Sequence, residues 1–332
     1  MAELTEPQLG ALERRLSATG VSGLRRLAGG ASSLTFAATI DGRPVVVKVA
    51  PPGLAPVLHR DVLRQARAIE SLRASAVPVP EILWQDSGDP PDVPPLFVMT
   101  FLGGESVEPL FDADATVGDP AVMAGRLRDA ARVMAQLHRV EPAALGLGSE
   151  PAIPLSDEVD RWCRLLTTVD PALVPGWREV AADLRSTLPP PWRNTLCHGD
   201  FRLGNLLATD KRITAVIDWE IWSIGDPRVD VGWFVINADP DTYRRDTAYT
   251  GLTPPPAELF DVYAATLGSA VPDMDWFYAL AHFKSAATWS LIVKLNRRQP
   301  SPQPDIEAMA SAPSALLARA SRFLDSSPLI GG

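Results

Sequence analysis

One loop, residues 197–222, constrains this chain more than any other stretch; it reads C-H-G-D-F-R-L-G-N-L-L-A-T-D-K-R-I-T-A-V-I-D-W-E-I-W. Asn205 follows Asp200 by five residues, and an apolar run at 215–217 predicts a short buried strand that ends at Asp218. A carboxylate that takes a proton from an attacking hydroxyl, followed at this spacing by an asparagine that helps to hold a metal ion, is a pattern of phosphoryl-transfer loops. Because Mg²⁺ prefers carboxylate and amide oxygens, we expect Asn205 and Asp218 to bind this ion.

Each of these residues alone also has a purely structural explanation. Asp200 is typical of a turn, Asn205 of a helix cap and Asp218 of a surface ion pair. Two further features, Arg202 two residues after Asp200 and a Gly-Asp-Pro sequence at 225–227, favour the functional interpretation of the whole set.

Two segments of this region carry a family resemblance. Residues 198–207 (H-G-D-F-R-L-G-N-L-L) and 217–230 (I-D-W-E-I-W-S-I-G-D-P-R-V-D) closely resemble the aminoglycoside phosphotransferase and choline kinase-like family of small-molecule kinases. The resemblance covers nearly the whole chain, from a Gly-rich turn near Gly29 to a Trp-rich helix near Trp289.

The resemblance implies an α+β, protein-kinase-like bilobal fold. In that fold, residues 1–102 form a small nucleotide-binding lobe with an antiparallel sheet and a helix. Residues 103–332 form a larger, mainly helical lobe that carries the catalytic and substrate-binding residues. The acceptor stays open, because members of this family phosphorylate many different hydroxyl compounds.

The first hundred residues contain the signals of a nucleotide site. Two apolar runs flank Asp41-Gly42 and predict a β-hairpin. Lys48 lies inside the second run, where an ammonium needs a partner unless the strand is an exposed edge; in kinases such a lysine grips the phosphates of ATP. Small residues in an earlier turn would let backbone N–H groups approach phosphate oxygens; they are Gly29, Gly30, Ser32 and Ser33.

The acidic partner of that lysine is the one departure from the family pattern. The helix predicted at 61–73 has Gln65 where the family usually has glutamate. Glu70 or Asp61 on the same helix could substitute, or nucleotide and metal alone could orient the lysine. A predicted strand at 96–102 joins the lobes, and we expect its backbone near Met99 and Phe101 to meet the adenine edge.

Further helices are predicted from apolar spacing at 4–19, 120–140, 155–169, 177–188, 276–293 and 311–324, with another opening at 254–259. We expect Asp226 and Asp230 to brace the catalytic loop through backbone donors. The tryptophans at 219, 222 and 233 are predicted to be packing residues, with the alternative that one of them lines a pocket. Four residues of the helix predicted at 276–293 could face the acceptor, and the sequence does not say which of them do: Tyr278, His282, Lys284 and Trp289.

Composition excludes some classes of partner. The net charge is −9, and acids and bases are equal in number, ten each, through Leu102, so the whole acidic excess follows that residue. Proteins that bind phosphate backbones present a basic face, so we expect no nucleic-acid partner. The sequence has no apolar stretch of about 18 residues or more and no apolar signal core, so we expect no membrane segment. Its two cysteines give no disulfide framework, and we expect a reducing cytoplasm.

The sequence thus predicts transfer of the γ-phosphoryl group of ATP, or of GTP, to a hydroxyl of a small molecule. Asp200 and Arg202 are the predicted catalytic residues, and Mg²⁺ is the predicted metal. Resemblance to domains fused to acyl-CoA dehydrogenases favours a metabolic acceptor over an antibiotic. The alternatives are a nucleotide-binding pseudokinase, a metal-dependent hydrolase, which four scattered histidines disfavour, and a protein kinase, which Trp219-Glu220 after Asp218 disfavours. A homodimer is left open.

Overall fold

The computed structural model describes residues 4–27, 33–109, 119–243, 247, 249 and 251–326. These residues form two compact units. The first runs through Ser106 and also takes in Asn205–Thr209 and Ile213–Trp222, and the second holds Val107–Gly204, Asp210–Arg212 and the chain from Ser223 onward. Part of the 197–222 loop, which a single boundary after residue 102 places in the second lobe, therefore belongs to the first unit.

The chain begins with α1 (Glu6–Ser17), β1 (Val21–Arg26), β2 (Leu34–Ile40), β3 (Arg43–Val49), α2 (Val62–Ser71), β4 (Ile82–Asp86) and β5 (Leu96–Thr100). It continues with α3 (Pro120–His138), β6 (Ala152–Ile153), α4 (Leu155–Leu166), α5 (Trp177–Ser186), β7 (Thr195–Cys197), β8 (Leu206–Thr209), β9 (Arg212–Val216) and β10 (Ser223–Gly225). It then forms α6 (Arg228–Ala238), α7 (Pro240–Tyr243), α8 (Pro256–Leu267), α9 (Met274–Asn296), α10 (Pro304–Ala308) and α11 (Ala312–Ser326). The predicted α+β fold class is confirmed.

An antiparallel sheet with strand order β1-β2-β3-β5-β4 forms the body of the first unit. Strands β2 and β3 form the predicted hairpin, with Ile40 opposite Arg43. Its turn residues Asp41 and Gly42 have φ angles of 49° and 77°, the left-handed conformation that a tight hairpin turn needs and that Asp-Gly supplies at low cost. Val47 on β3 is fully buried and packs with the apolar side of α1 in one core cluster.

Helix α2 confirms the helix predicted at 61–73. Asp61 caps it, since its side chain accepts a hydrogen bond of 3.0 Å from the Arg64 N–H. The helix turns Gln65, Ala66 and Ile69 inward, and Gln65 is only 1% exposed.

Strands β8 and β9 pair with each other and bring the end of the 197–222 loop into the first unit. The Ile217 N–H donates to the Asn205 carbonyl at 3.0 Å, and the Val216 N–H donates to the Pro78 carbonyl at 2.8 Å. Both bonds lie at the open end of the hairpin, where Asn205 directly precedes β8 and Asp218 follows β9.

The second unit is mainly helical, with a small sheet of order β6-β10-β7. One core cluster of this unit joins α4, α5, α9 and α11 and contains Trp162, Trp177 and Phe283. Helices α6 and α9 approach closely at Gly232, where an added Cβ would lie 2.6 Å from the Phe277 carbonyl oxygen. Full burial of a side chain such as Phe283 stabilises this core by about 1.5–3 kcal/mol.

Within the described ranges, no helix combines the length and the apolar character that crossing a bilayer requires. Cys163 and Cys197 are both buried as free thiols. Burial raises the pKa of both, that of Cys197 well above its usual value, so each is a neutral packing residue at physiological pH.

Candidate active site

Lys48 is the centre of the polar cluster in the first unit. It lies on β3 between the fully buried Val47 and Val49 and is itself 8% exposed. Its ammonium donates to Asp218 Oδ1 at 2.7 Å and to Gln65 Oε1 at 3.1 Å. The buried ammonium is thus compensated by one charged and one neutral acceptor.

Gln65 is the residue on α2 that accepts a hydrogen bond from Lys48. Gln65 does so through its amide oxygen, while its Nε2 lies 3.4 Å from the His59 carbonyl. Asp61 is occupied as the cap of α2, and Glu70 accepts a hydrogen bond of 3.2 Å from Gln85. A neutral amide therefore stands at the position of the family's glutamate, and the negative charge beside Lys48 comes from Asp218.

Asp218 and Asn205 supply oxygen atoms in this unit that could act as metal ligands. Asp218 adopts a φ of 64°, a left-handed backbone that aspartate tolerates better than most residues. Such a backbone ends β9 abruptly and leaves the Asp218 side chain 31% exposed beside Lys48. Asn205, 6% exposed, closes a single 3-10 turn that starts at Leu203. A carboxylate and an amide oxygen are the hard donors that suit Mg²⁺.

The predicted phosphate turn lies mostly outside the described residues, which include Ser33 but not Gly29, Gly30 or Ser32. Ser33 is 4% exposed, and its hydroxyl has no hydrogen-bond partner within the described part of the chain. Buried hydroxyls are normally satisfied, so this one has capacity for a further polar group.

Met99 and Phe101, predicted to meet the adenine edge, both have backbone partners in the sheet. Met99 pairs with Val46, and the Phe101 N–H donates to the Pro44 carbonyl at 3.3 Å. The Met99 side chain is buried and that of Phe101 is 47% exposed. The Phe101 N–H is therefore used within the sheet, and the predicted contact of these two residues with the adenine edge stays a prediction.

The loop that carries Asp200 is anchored in the second unit by Asp230 on α6. Asp230 is fully buried and accepts from the N–H groups of His198 at 2.6 Å and Gly199 at 2.8 Å. His138 Nε2 lies 3.4 Å from the same carboxylate. Burial opposes the charge of Asp230, but the hydrogen bonds and charges of His138 and His198 outweigh it and hold its pKa below the usual value. The predicted bracing role of Asp230 is confirmed.

Asp226, for which we predicted the same role, does something else. Its carboxylate pairs with the fully buried Arg228, with Nη2 to Oδ2 at 2.6 Å, and accepts from the Arg228 N–H at 3.0 Å. Arg228 also reaches Asp273 at 2.9 Å. Asp226 therefore fixes the start of α6 instead of the loop that carries Asp200.

Asp200 is held from two sides. The Trp233 indole Nε1 donates to its Oδ1 at 2.7 Å, and the Arg202 Nε lies 3.3 Å from each carboxylate oxygen. Gly199, with a φ of 85°, provides the left-handed turn directly before it. Trp233, predicted to be a packing residue, is therefore part of the site; its place three residues after Asp230 was the available signal.

Arg202 bridges two carboxylates, because its Nη1 also donates to Glu108 Oε2 at 2.7 Å. Burial opposes the charge of Arg202, but Asp200 and Glu108 outweigh it and raise its pKa. Glu108 is 7% exposed and accepts the Gly204 N–H at 3.1 Å, and burial raises its pKa despite Arg202. A Cβ at Gly204 would overlap Arg202 Nη1 and lie 2.9 Å from Glu108 Oε2, so a side chain there would displace the ends of both residues. No motif in the sequence pointed to Glu108.

A family model described as the phosphotransferase enzyme family matches residues 23–274. The chain belongs to the phosphotransferase enzyme family. The two segments that carried the predicted resemblance lie inside this match, so the predicted family resemblance is confirmed.

Individual proteins and solved structures are also similar to this chain. Acyl-CoA dehydrogenase family member 11 of Gallus gallus is 28% identical over 80% of the chain, which spans only 36% of that relative's length. A Ralstonia eutropha structure provisionally called an aminoglycoside phosphotransferase superposes with a TM-score of 0.76 at 21% identity, covering 96% of this chain and 98% of that one. A variant of aminoglycoside phosphotransferase APH(4)-Ia, in complex with ADP and hygromycin B, gives 0.63 at 19% identity, covering 97% and 100%. At these identities the structures establish the fold, and the protein-kinase-like prediction is confirmed.

Proposed function

We propose that this phosphotransferase transfers the γ-phosphoryl group of ATP to a hydroxyl of a small molecule in a Mg²⁺-dependent reaction. The observation that carries the proposal is the pairing of Lys48 with Asp218 at 2.7 Å across 170 residues of sequence. A phosphate-gripping cation beside a metal-binding carboxylate is the arrangement that phosphoryl transfer needs. The complex of a structural neighbour with ADP supports a nucleotide as the donor.

Lys48 has the role of binding the donor's phosphates. Its ammonium has three N–H donors, of which Gln65 and Asp218 take two. The buried Ser33 hydroxyl, which has no partner within the described residues, offers a further donor three positions after Gly30 in the sequence. These donors would orient the phosphate oxygens while the sheet keeps the lysine fixed.

Asn205 and Asp218 would hold the metal. When bound, Mg²⁺ neutralises charge on the phosphates and so lowers the barrier to transfer. The two residues fit this ion because both offer hard oxygens and both are anchored by the β8–β9 hairpin. Lys48 balances the Asp218 charge, which lowers the electrostatic cost of keeping that carboxylate ionised.

Asp200 would accept the proton of the acceptor hydroxyl. The bonds from Trp233 and Arg202 fix its plane, and both partners are donors only, so the carboxylate is kept in its acceptor form. Strong basicity is not needed, because the transition state is loose and the hydroxyl loses its proton late. Arg202 stands beside Asp200 as the cation that offsets charge on the transferring group.

For the acceptor, we favour a hydroxyl compound of metabolism over an antibiotic. The support is the likeness to Acyl-CoA dehydrogenase family member 11, whose name points to metabolism. The likeness to APH(4)-Ia, in complex with hygromycin B, rests on fold at 19% identity.

A panel of hydroxyl compounds tests the proposal, with ADP release as the readout and ATP and GTP as alternative donors. We expect Mg²⁺-dependent release that rises with one class of acceptor and disappears in Asp218→Asn. Release at near the parent rate in Asp218→Asn would contradict the metal assignment. An aminoglycoside as the best acceptor would contradict the metabolic assignment alone.

A nucleotide-binding pseudokinase is the second candidate, and one observation favours it: Gln65 replaces the acidic partner of Lys48. This alternative predicts binding of ATP without turnover on any acceptor. A thermal shift with ATP and Mg²⁺, but no ADP release across the panel, would support it over the kinase.

A further inference from the structure

Lys284 is a buried cation that the mechanism above does not use. It lies in α9, is 5% exposed, and donates a hydrogen bond from Nζ to the Gly199 carbonyl, directly before Asp200. The same Nζ lies 3.8 Å from the centroid of the Trp233 ring, within the range of a cation–π contact. Burying an ammonium costs free energy, and packing alone does not offset that cost, so the contacts of its charge are the part to explain.

A third contact of the ammonium, with the Trp162 ring at 5.5 Å, is longer, and the two close contacts lead to the same carboxylate. Gly199 is joined to Asp200 by a peptide bond, and the Trp233 indole donates to Asp200 Oδ1 at 2.7 Å. The ammonium therefore fixes the backbone before Asp200 and the plane of the ring that holds its side chain. Buried polar networks in which every member is paired are rigid, and small displacements at a reacting group are costly.

We propose that Lys284 is a positioning residue for Asp200, acting through the Gly199 carbonyl and the Trp233 ring. The inference rests on the proposed function, in which Asp200 accepts the proton of the acceptor hydroxyl. It adds a residue 84 positions downstream of Asp200 to the machinery of that step.

The charge of Lys284 should make turnover depend on pH. Burial lowers the pKa of Lys284 to about 8, against the opposing effect of Asp200, Asp230 and Glu158 and with a smaller contribution from Arg161. As the pH rises through about 8, the ammonium loses its charge and with it the attraction to the Trp233 ring. Turnover therefore falls severalfold over this range.

Stability changes in the opposite direction. Above the folded pKa of about 8 and below the ordinary value of 10.5, the unfolded chain binds a proton at Lys284 that the folded chain does not. The unfolding free energy contributed by this group therefore increases with pH in that range. A purely structural lysine would not lower turnover while the fold becomes more stable.

The direct test is the pH titration of the Trp233 indole ¹H–¹⁵N resonance in the full chain, assigned with Trp233→Phe. We expect a midpoint near pH 8 that disappears in Lys284→Met and persists in Lys294→Met. Lys294 is the matched control, because it lies on the same helix and donates to the Thr168 carbonyl at 2.5 Å. A resonance that does not titrate, or that titrates equally in Lys284→Met, overturns the proposal.

The kinetic test uses the best acceptor from the panel. Lys284→Met and Trp233→Phe should each lower kcat by about 10–100-fold and leave KM for ATP unchanged. Trp276→Phe, which removes an indole bond of 3.1 Å to the Leu184 carbonyl, should keep its kcat. An unchanged kcat in Lys284→Met overturns the positioning role. Absence of turnover in the parent protein would contradict the proposed function alone, since the indole titration still decides the coupling of Lys284 to Trp233.

Discussion

At the residue scale, the proposed chemistry depends on a carboxylate whose orientation is fixed before any substrate binds. Trp233 and Arg202 contact Asp200 in the second unit, and Asp230 holds the two backbone N–H groups just before it. Preorganised groups of this kind cost no reorganisation during the reaction.

Asp200→Asn should lower kcat by about 10²–10⁴-fold, the usual loss when a general base is removed. Steady-state ADP release measures this. Asp210→Asn is the matched control: Asp210 is exposed in the β8–β9 turn at a φ of 49°, which asparagine also adopts, so its activity should equal that of the parent. Equal losses in the two variants would count against a role for Asp200 in the reaction.

Gln65 allows a second prediction at this scale. Gln65→Leu removes one acceptor from the Lys48 ammonium, and we expect kcat/KM for ATP to fall by about tenfold, the value of one hydrogen bond to a charged group. Gln65→Glu restores an acceptor and should retain kcat/KM. If Gln65→Leu matches the parent, the Lys48–Gln65 contact has no part in nucleotide binding.

The sequence predicted candidate residues wherever a local motif carries them. Asp200, Arg202 and Asn205 were recognisable from their spacing, because one loop carries them all. Glu108 and the role of Trp233 were not, because each reaches the loop from a distant part of the chain and only tertiary packing brings it there.

At the scale of elements, α6 couples the loop that carries Asp200 to the core of the second unit through Asp230. Asp230→Ala would leave the N–H groups of His198 and Gly199 buried without an acceptor. We expect the free energy of unfolding to fall by roughly 3–5 kcal/mol, measured by denaturant titration. Asp241→Ala, at an exposed position of α7, should change it by less than about 0.5 kcal/mol.

The same carboxylate gives a pH dependence. Its folded pKa is below the usual 3.8, so its contribution to stability is present above that value and is lost as the pH falls through the folded pKa. The stability difference between the parent and Asp230→Ala should therefore shrink in acid. A difference that stays constant down to pH 2 would contradict this assignment.

Long elements, which repeat their apolar pattern several times, were predictable from the sequence, and very short strands were not. Helices such as α3 and α9 show an apolar pattern over many turns, and the Asp41-Gly42 turn marks the β2–β3 hairpin. Strands β6, β7 and β10 have two or three residues each, too few for an alternation, and β6 pairs with a strand about seventy residues away. Their pairing is decided by tertiary structure.

At the scale of the whole molecule, the account requires that nucleotide binding stabilise the folded chain. Saturation at 100 times Kd adds about 2.7 kcal/mol to the free energy of unfolding. We expect ATP with Mg²⁺ to raise the Tm more than ATP alone, and Lys48→Met to abolish both shifts. Equal shifts in the parent and in Lys48→Met would exclude Lys48 from the nucleotide site.

The most direct measurement follows the phosphoryl group itself by ³¹P NMR, with ATP, Mg²⁺ and the best hydroxyl acceptor. The account predicts a new phosphomonoester signal that grows as the γ-phosphate signal of ATP falls, with ADP formed in equal amount. The signal should be absent in Asp200→Asn and in Asp218→Asn. Growth of the phosphomonoester signal at the parent rate in both variants, or ATP bound with no acceptor phosphorylated, would contradict it.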